Sequence, residues 1–254
     1  MNLDGRVAIV TGGARGIGRH YAEGLASAGA CVAIGDVADT ADACGAIARR
    51  HGDGRVLGEA LDVSDEASVL RFVAATTAAF GRIDVLVNNA ALCAGLSPIP
   101  TTDLDVELWD RVQAVNVRGV FLMCKHVAPH MRELGYGKIV NIASGMALRG
   151  VPGMLHYATS KGAVLSLTRT LSRELGDSGI RVNAVAPGLT MSETIMEQQP
   201  EFLAAVSEGH RATKALKRDQ HPDDLVGTIT FLASAESDFI TGQTLIVDGG
   251  SLNS

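Results

Sequence analysis

The chain has 254 residues, of which 46% are hydrophobic and 20% charged, the make-up of a soluble globular protein long enough to bury a large core. A formal charge of −6 argues against nucleic acid or an anionic membrane surface as a partner. The four cysteines, Cys31, Cys44, Cys93 and Cys124, form no CxxC pair and have no metal-ligand spacing, so no metal is expected. Cys31 and Cys124 sit in apolar runs and read as buried thiols, which points to a reducing compartment. Met1-Asn2-Leu3-Asp4 resembles no signal peptide, and no apolar run approaches membrane-helix length. The expected location is the cytoplasm.

Residues 6–10 form a short continuous apolar run, as in a strand buried on both faces. Thr11-Gly12-Gly13-Ala14-Arg15-Gly16-Ile17-Gly18 follows. A helical stripe of Ile17, Tyr21, Leu25 and Ala28 then runs to Gly29. Strand, glycine turn and helix together aim backbone N–H groups and the helix dipole at a phosphate. A P-loop is excluded, because Gly18-Arg19-His20 supplies neither the lysine nor the hydroxyl. The spacing Gly12-xxx-Gly16-x-Gly18 also differs from the ordinary GxGxxG turn.

Residues 31–35 read as a second strand with Asp36 at its tip. Asp36 lies near the ~20-residue offset of an acid that binds ribose hydroxyls. A carboxylate there repels a 2′-phosphate, so NAD is favoured over NADP, and with it alcohol oxidation. Arg15 pulls slightly the other way, since an arginine in this loop pairs readily with a 2′-phosphate. Residues 55–61 form a third strand ending in Asp62-Val63, Glu66–Phe80 a helix, and residues 84–87 a fourth strand running into Asn88-Asn89-Ala90-Ala91. This alternation predicts right-handed crossovers and a Rossmann-type, doubly wound α/β sheet of about seven parallel strands with helices on both faces.

A long helix is predicted from Thr102 to about Val127, with Leu104, Leu108, Val112, Val115, Gly119 and Leu122 on one stripe and Pro129 limiting it. Asn116 falls in its middle, where asparagine is a poor choice. Solvent exposure is the plain explanation; a functional one comes from the resemblance below. Residues 138–143 form a fifth strand ending at Ser144, and ligand groups gather at such carboxyl ends.

Next comes His156-Tyr157-Ala158-Thr159-Ser160-Lys161, with Val164, Leu171 and Leu175 continuing a helical stripe. Tyr157 and Lys161, four apart, share a helix face, and Tyr157 is the one tyrosine of three with a lysine at that spacing. A phenol titrates near 10 and exchanges protons poorly at neutral pH; a neighbouring ammonium lowers that value. The pair by itself is a weak signal. His156 reads as a helix-start residue, with a substrate contact as the lesser alternative. Residues 181–185 form a sixth strand leading to Pro187-Gly188. Residues 189–215 lack a clean period and read as a lid, 225–233 as a helix, and Thr244–Val247 as the last strand. With no linker and no internal repeat, residues 1–254 read as one dinucleotide-binding and catalytic domain.

From about residue 5 to 250 these motifs resemble, in order, the single-domain branch of the short-chain dehydrogenase/reductase family. The turn Thr11-Gly12-xxx-Gly16-Ile17-Gly18 is similar to the family's cofactor loop. Asp62-Val63 resembles the pair whose acid contacts adenine. Asn88-Asn89-Ala90-Ala91 resembles its Asn-Asn-Ala-Gly element, with alanine in the last place. Asn116, Ser144, Tyr157 and Lys161 fall where the family has its catalytic tetrad, and Pro187-Gly188 where a turn flanks the nicotinamide.

The resemblance implies that Tyr157 exchanges a proton with the substrate oxygen while Lys161 holds the nicotinamide ribose and depresses the phenol. It implies that Ser144 hydrogen-bonds the reacting oxygen and that Asn116 positions a relay water behind Lys161. It also implies a homotetramer. The expected pocket contains Ser144, Met146, Met154 and Met191, with Leu92, Cys93, Leu148, Ile195 and Met196 as further liners. Methionines suit an adaptable apolar pocket, hence a secondary alcohol or ketone with an apolar, aromatic or alicyclic body, though ordinary gap-filling explains them nearly as well. Arg149 is either a carboxylate anchor or, more simply, a solvated side chain. The rival readings are a 3-oxoacyl reductase-type enzyme, a non-catalytic dinucleotide sensor, which has no use for Ser144, Tyr157 and Lys161 together, and a methyltransferase.

Overall fold

The computed structural model describes residues 1–93, 95–198 and 200–252. Seven strands form one sheet: β1 (Val7–Thr11), β2 (Cys31–Asp36), β3 (Val56–Ala60), β4 (Val85–Asn88), β5 (Gly137–Ile142), β6 (Ile180–Pro187) and β7 (Thr244–Val247). Every neighbouring pair is parallel and the order is β3-β2-β1-β4-β5-β6-β7. After β3 the chain crosses to the far side of β1, so a crevice opens between the carboxyl ends of β1 and β4.

Residues of β1, β4 and β5 are buried along their whole length, because helices cover both faces of the sheet. On one face α3 (Glu66–Phe80), α5 (Gly119–Leu134) and α7 (Leu155–Leu175) pack a core that includes Phe72, Met123 and Val164. On the other, α1 (Gly16–Ser27), α2 (Ala41–His51) and α10 (Asp223–Ala233) pack Tyr21, Leu25, Ile47 and Leu225. Each fully buried aliphatic or aromatic side chain contributes about 1.5–3 kcal/mol. The bounds of α3 match the sequence expectation because its signals are local. The Asp65 carboxylate caps the N–H groups of Ala67 and Ser68, and Gly81 ends the helix in the left-handed conformation.

Three elements differ from expectation. The long helix expected over 102–127 begins later, as α4 (Val106–Gln113), passes through a π-helical turn at Ala114–Arg118, and continues as α5 to Leu134. Pro129 therefore lies inside a helix that it was expected to limit. Val127, Ala128 and Met131 are buried around it, and that packing outweighs the roughly 3 kcal/mol an interior proline costs. The segment 189–215, read as a lid without a clean period, carries the helices α8 (Glu193–Gln198) and α9 (Pro200–Thr213). Cys31, expected to be buried, is only half-buried, whereas Cys124 is buried; all four thiols are free. The short α6 (Met146–Arg149) completes the helices, and among the described residues none is long and apolar enough to cross a membrane.

Candidate active site

The carboxyl ends of β1 and β4 are tied together by side chains. Asn89 donates its amide protons to the carbonyls of Thr11 (3.0 Å) and Gly12 (2.9 Å). The N–H groups of Asn89 and Ala90 in turn donate to Thr11 Oγ1 at 3.0 and 3.1 Å. Two glycines of the turn have no room for a side chain. A Cβ on Gly18 would collide with the Gly12 carbonyl and the Asn89 amide; one on Gly16, which has φ +58°, would lie 2.8 Å from Thr194 Oγ1. The first turn of α8 thus rests against the glycine turn, a contact between segments far apart in sequence that no local pattern announced.

Arg15, the residue before α1, is extended and its side chain caps nothing, so among the described residues the first N–H groups of α1 have no side-chain acceptor. Ile17 is half-buried beside them. At the end of β2 the Asp36 carboxylate accepts from Ala14 N and Ala38 N, both at 3.0 Å, which pins it at the lip of the turn. Asp62 is exposed at the rim, held by Ser64 N (2.8 Å) and Ser64 Oγ (2.7 Å), with Val63 buried beneath. At the end of β6 the Pro187 carbonyl accepts from Gly145 N (3.0 Å), and Gly188 N donates to the Val247 carbonyl (3.0 Å). Uncapped helix N–H groups, a glycine cradle and a ribose-range carboxylate fit a nicotinamide dinucleotide.

Beyond β5 the expected catalytic residues converge. Ser144, Tyr157 and Lys161 are all buried. The Tyr157 hydroxyl lies close enough to Ser144 and to the Cys93 thiol for both to act on its proton. Lys161 Nζ donates to the Ile142 carbonyl (2.7 Å) and stands 5.8 Å from the Tyr157 ring centre. Ser144 Oγ also accepts from Met146 N (3.2 Å).

The phenol moves opposite to the sequence expectation. Burial pushes Tyr157 well above 10, and Cys93 adds to the rise, while Ser144 pulls the other way. Burial likewise lowers the Lys161 ammonium to about 8. Desolvation is the largest cause of both shifts.

Asn116 is fully buried, so exposure does not explain its place. Its Oδ1 accepts from Leu92 N (2.8 Å), and its Nδ2 donates to the Leu92 carbonyl (3.1 Å) and to Ser160 Oγ (3.0 Å). Ser160 Oγ donates onward to the Tyr157 carbonyl (2.7 Å). The amide thus clamps the segment after β4, next to Cys93, to the helix that carries Tyr157. It projects from the π-helical turn, a local widening that places a side chain where a regular helix would not.

His156 lies in the first turn of α7, as read from the sequence, and is buried there. Neither ring nitrogen has a hydrogen-bond partner among the described residues, and burial lowers its pKa. Of the expected pocket residues, Met154 is buried, Met146, Met191, Ile195 and Cys93 are half-buried, and Leu92, Leu148 and Met196 are exposed.

Comparison with known proteins agrees with this geometry. A family profile described as enoyl-(acyl carrier protein) reductase matches residues 12–251. The short-chain dehydrogenase/reductase eriH of Hericium erinaceus is 41% identical, over 97% of this chain and 98% of that protein. The cis-4-hydroxycyclohexanecarboxylate dehydrogenase of Sinomonas cyclohexanicum is 40% identical, over 96% of each. Among solved structures, levodione reductase superposes with a TM-score of 0.92 at 35% identity, over 98% of both chains. Two other solved relatives hold different dinucleotides. A 3-ketoacyl-(acyl-carrier-protein) reductase from Brucella melitensis, 36% identical, is complexed with NADH, and a gluconate 5-dehydrogenase from Burkholderia cenocepacia, 37% identical, with NADP and tartrate. The sheet and its glycine turn define a Rossmann-type, nicotinamide-dinucleotide-dependent oxidoreductase. The chain belongs to the short-chain dehydrogenase/reductase family.

Proposed function

We propose that this chain is an NAD-dependent oxidoreductase that interconverts a secondary alcohol and a ketone, with Tyr157 as the general acid and base. The observation that carries the reading is the gathering of buried Ser144, Tyr157 and Lys161, with Lys161 Nζ 5.8 Å from the Tyr157 ring centre, at the same carboxyl edge of the sheet as the glycine turn. The bound dinucleotide supplies or accepts the hydride. Around it, Gly12, Arg15, Gly16, Ile17 and Gly18 would hold the pyrophosphate, Asp36 the adenosine ribose, and Asp62 and Val63 the adenine. Asn89, Ala90, Pro187 and Gly188 would line the nicotinamide side, and Tyr157 and Lys161 its ribose.

In reduction, Tyr157 gives its proton to the carbonyl oxygen; in oxidation it takes one from the alcohol. Ser144 hydrogen-bonds the same oxygen and shares its developing charge. Asn116 belongs to a proton relay behind Lys161. Both its amide protons are already donated, so a relay water would meet its remaining lone pair or the backbone of the π-turn.

NAD is preferred because the Asp36 carboxylate occupies the place a 2′-phosphate would need. Ser144, Met146, Met154 and Met191 line a pocket for an apolar, alicyclic or aromatic body. That reading is supported by the relatives named for a hydroxycyclohexanecarboxylate and for levodione. The whole chain acts as one domain, in the cytoplasm, as a homotetramer, with residues 189–215 covering the substrate. The acyl-carrier wording of the family profile favours a second reading, a 3-oxoacyl reductase, which Asp36 opposes so far as that enzyme uses NADPH.

The test is a spectrophotometric assay of nicotinamide reduction, with NAD and NADP in parallel, over aromatic, alicyclic, steroid, polyol and 3-hydroxyacyl alcohols. NADH formation on an apolar class is expected. Turnover of polyols alone would discard the apolar pocket, and silence with dinucleotide still bound would discard the enzyme reading.

A further inference from the structure

At the rim of the candidate site two cationic side chains, Arg149 and Lys214, lie near the His210 imidazole, and among the described residues none of the three is ion-paired with a carboxylate. Lys214, just after α9, is 3% exposed, and the acceptor of its ammonium is the Arg218 carbonyl at 3.3 Å. His210, on α9, lies within electrostatic range of both Lys214 and Arg149, the last residue of α6. The neighbouring acids are engaged elsewhere. Asp219 pairs with Arg211 at 2.9 Å, Asp224 with Arg218 at 2.6 Å, and Asp248 accepts the N–H groups of Gly250, Ser251 and Leu252. Among the described residues no carboxylate is ion-paired with Arg149, His210 or Lys214, in a chain whose net charge is −6. A buried ammonium with one carbonyl acceptor is costly, and an anion arriving beside it is stabilised more than one in open water.

The cluster is joined to the reacting end of the site. Arg149 and Ser144 flank the one-turn α6, whose first N–H donates to Ser144 Oγ. Arg149 donates to the Ser251 hydroxyl, which is itself bonded to Thr213 Oγ1 at 2.8 Å. Gly145, between Ser144 and α6, packs on Leu252. The four residues of α6 carry the chain from beside Ser144 to Arg149, a rise of about 6 Å. That distance suits a ring or short chain carrying an acid at the end remote from its hydroxyl.

We infer that Arg149, His210 and Lys214 form an anion-binding subsite, with the hydroxyls of Thr213 and Ser251, that takes a carboxylate at the far end of the alcohol or ketone substrate. The inference rests on the proposed oxidoreductase function and narrows its substrate class to hydroxy or oxo acids whose two groups are several bonds apart. The subsite fixes the end of the substrate that Tyr157 does not touch, so it selects which carbon is presented for reaction.

The test uses two probes with no hydroxyl, cyclohexanecarboxylate and its methyl ester, titrated into the full chain with NAD and, in parallel, NADP, and followed by NMR. A charge-assisted contact should make the acid bind about tenfold or more tighter than the ester. That preference should weaken as salt rises, and fall to within about twofold in Arg149→Gln and in Lys214→Met. Equal binding of acid and ester to the unaltered chain would overturn the inference, and so would a preference that survives both substitutions. Arg149 is exposed, so Arg149→Gln keeps the test decisive if Lys214→Met does not fold. Because neither probe can give up a hydride, a failed alcohol assay alongside a clear acid preference would count against the proposed function and leave the subsite standing.

Discussion

Replacing Asn116 with alanine separates its structural work from any part in proton transfer. The change removes three hydrogen bonds, two to the backbone of Leu92 and one to Ser160 Oγ. Each is worth about 0.5–1.5 kcal/mol net, and the Leu92 N–H and carbonyl then lack their partner in a part-buried segment. Ser160 loses less, because its own proton still goes to the Tyr157 carbonyl. The sum is about 2–3 kcal/mol, which for a chain of this length lowers Tm by about 4–12 °C. Thermal unfolding followed by circular dichroism, with the unaltered chain in parallel, reads the effect directly. The clamp also sets Cys93 beside Tyr157, so turnover should fall even at temperatures where the variant is fully folded. An Asn116→Ala protein that melts within about 1 °C of the original would refute the account of the π-turn as a clamp.

Tyr157→Phe should cut turnover by about 10²–10⁴-fold while leaving dinucleotide binding, measured by fluorescence titration, nearly unchanged; undiminished turnover would remove Tyr157 as the acid and base. Asp36→Ala should weaken NAD and raise the NADP-to-NAD ratio of kcat/KM, and an unmoved ratio would take Asp36 out of the cofactor site. Asp84 is buried beneath β1, where it accepts from Arg6 (2.8 Å), Arg82 and Val7 N (2.9 Å). Burial acts to raise its carboxyl, but Arg82, Arg6 and the Val7 N–H outweigh it and hold it below the ordinary carboxylate value. A depressed acid contributes stability that is present above the unfolded value, near 4, and is lost as pH falls through the folded one. Asp84→Asn should therefore flatten the acid limb of the stability profile and cost about 2–3 kcal/mol at neutral pH, less than a fully buried pair because both arginines are partly solvated. An acid limb identical to that of the unaltered chain would refute this.

What the sequence disclosed follows from the range of each signal. β1 and β4 open with the apolar runs 7–10 and 85–87 because both faces of a parallel sheet are covered, and that pattern lies in consecutive residues. The glycine turn, Asp36 and the Tyr157–Lys161 spacing are equally local, and the structure brings them to one edge of the sheet. α2 escaped notice because its buried stripe is Ala43, Ala46 and Ile47, and alanine gives little periodic contrast. Pro129 misled for a different reason: its local cost is real, but it is met by tertiary packing that no window of sequence displays. The partner of Asn116 is 24 positions away, and the α8 contact with Gly16 comes from more than 170 positions on. The burial of His156 likewise depends on neighbours brought in by the fold, which neither the helix-start reading nor the substrate-contact alternative could display.

The direction of the phenol shift bears on how the site would run. A tyrosine held above 10 by burial keeps its proton, and a protonated phenol is the form that serves as acid toward a ketone. Serving as base toward an alcohol requires positive charge close to the same oxygen. Lys161 is positioned to provide part of it, but burial lowers its ammonium to about 8, and one of its three protons is held by the Ile142 carbonyl. The oxidised nicotinamide ring is itself a cation and the reduced ring is not. Alcohol oxidation would thus begin with the charge that draws the phenol down, and carbonyl reduction without it. One buried tyrosine would then serve both directions, with the charge of a bound nicotinamide ring helping to set which proton transfer is favourable. The Cys93 thiol, which pushes the phenol further up, should bias the pair toward reduction, so Cys93→Ala should move the alkaline-rising limb of alcohol oxidation to lower pH. A pH–rate profile for oxidation that is the same with and without the thiol would show that Cys93 has no hold on the Tyr157 proton.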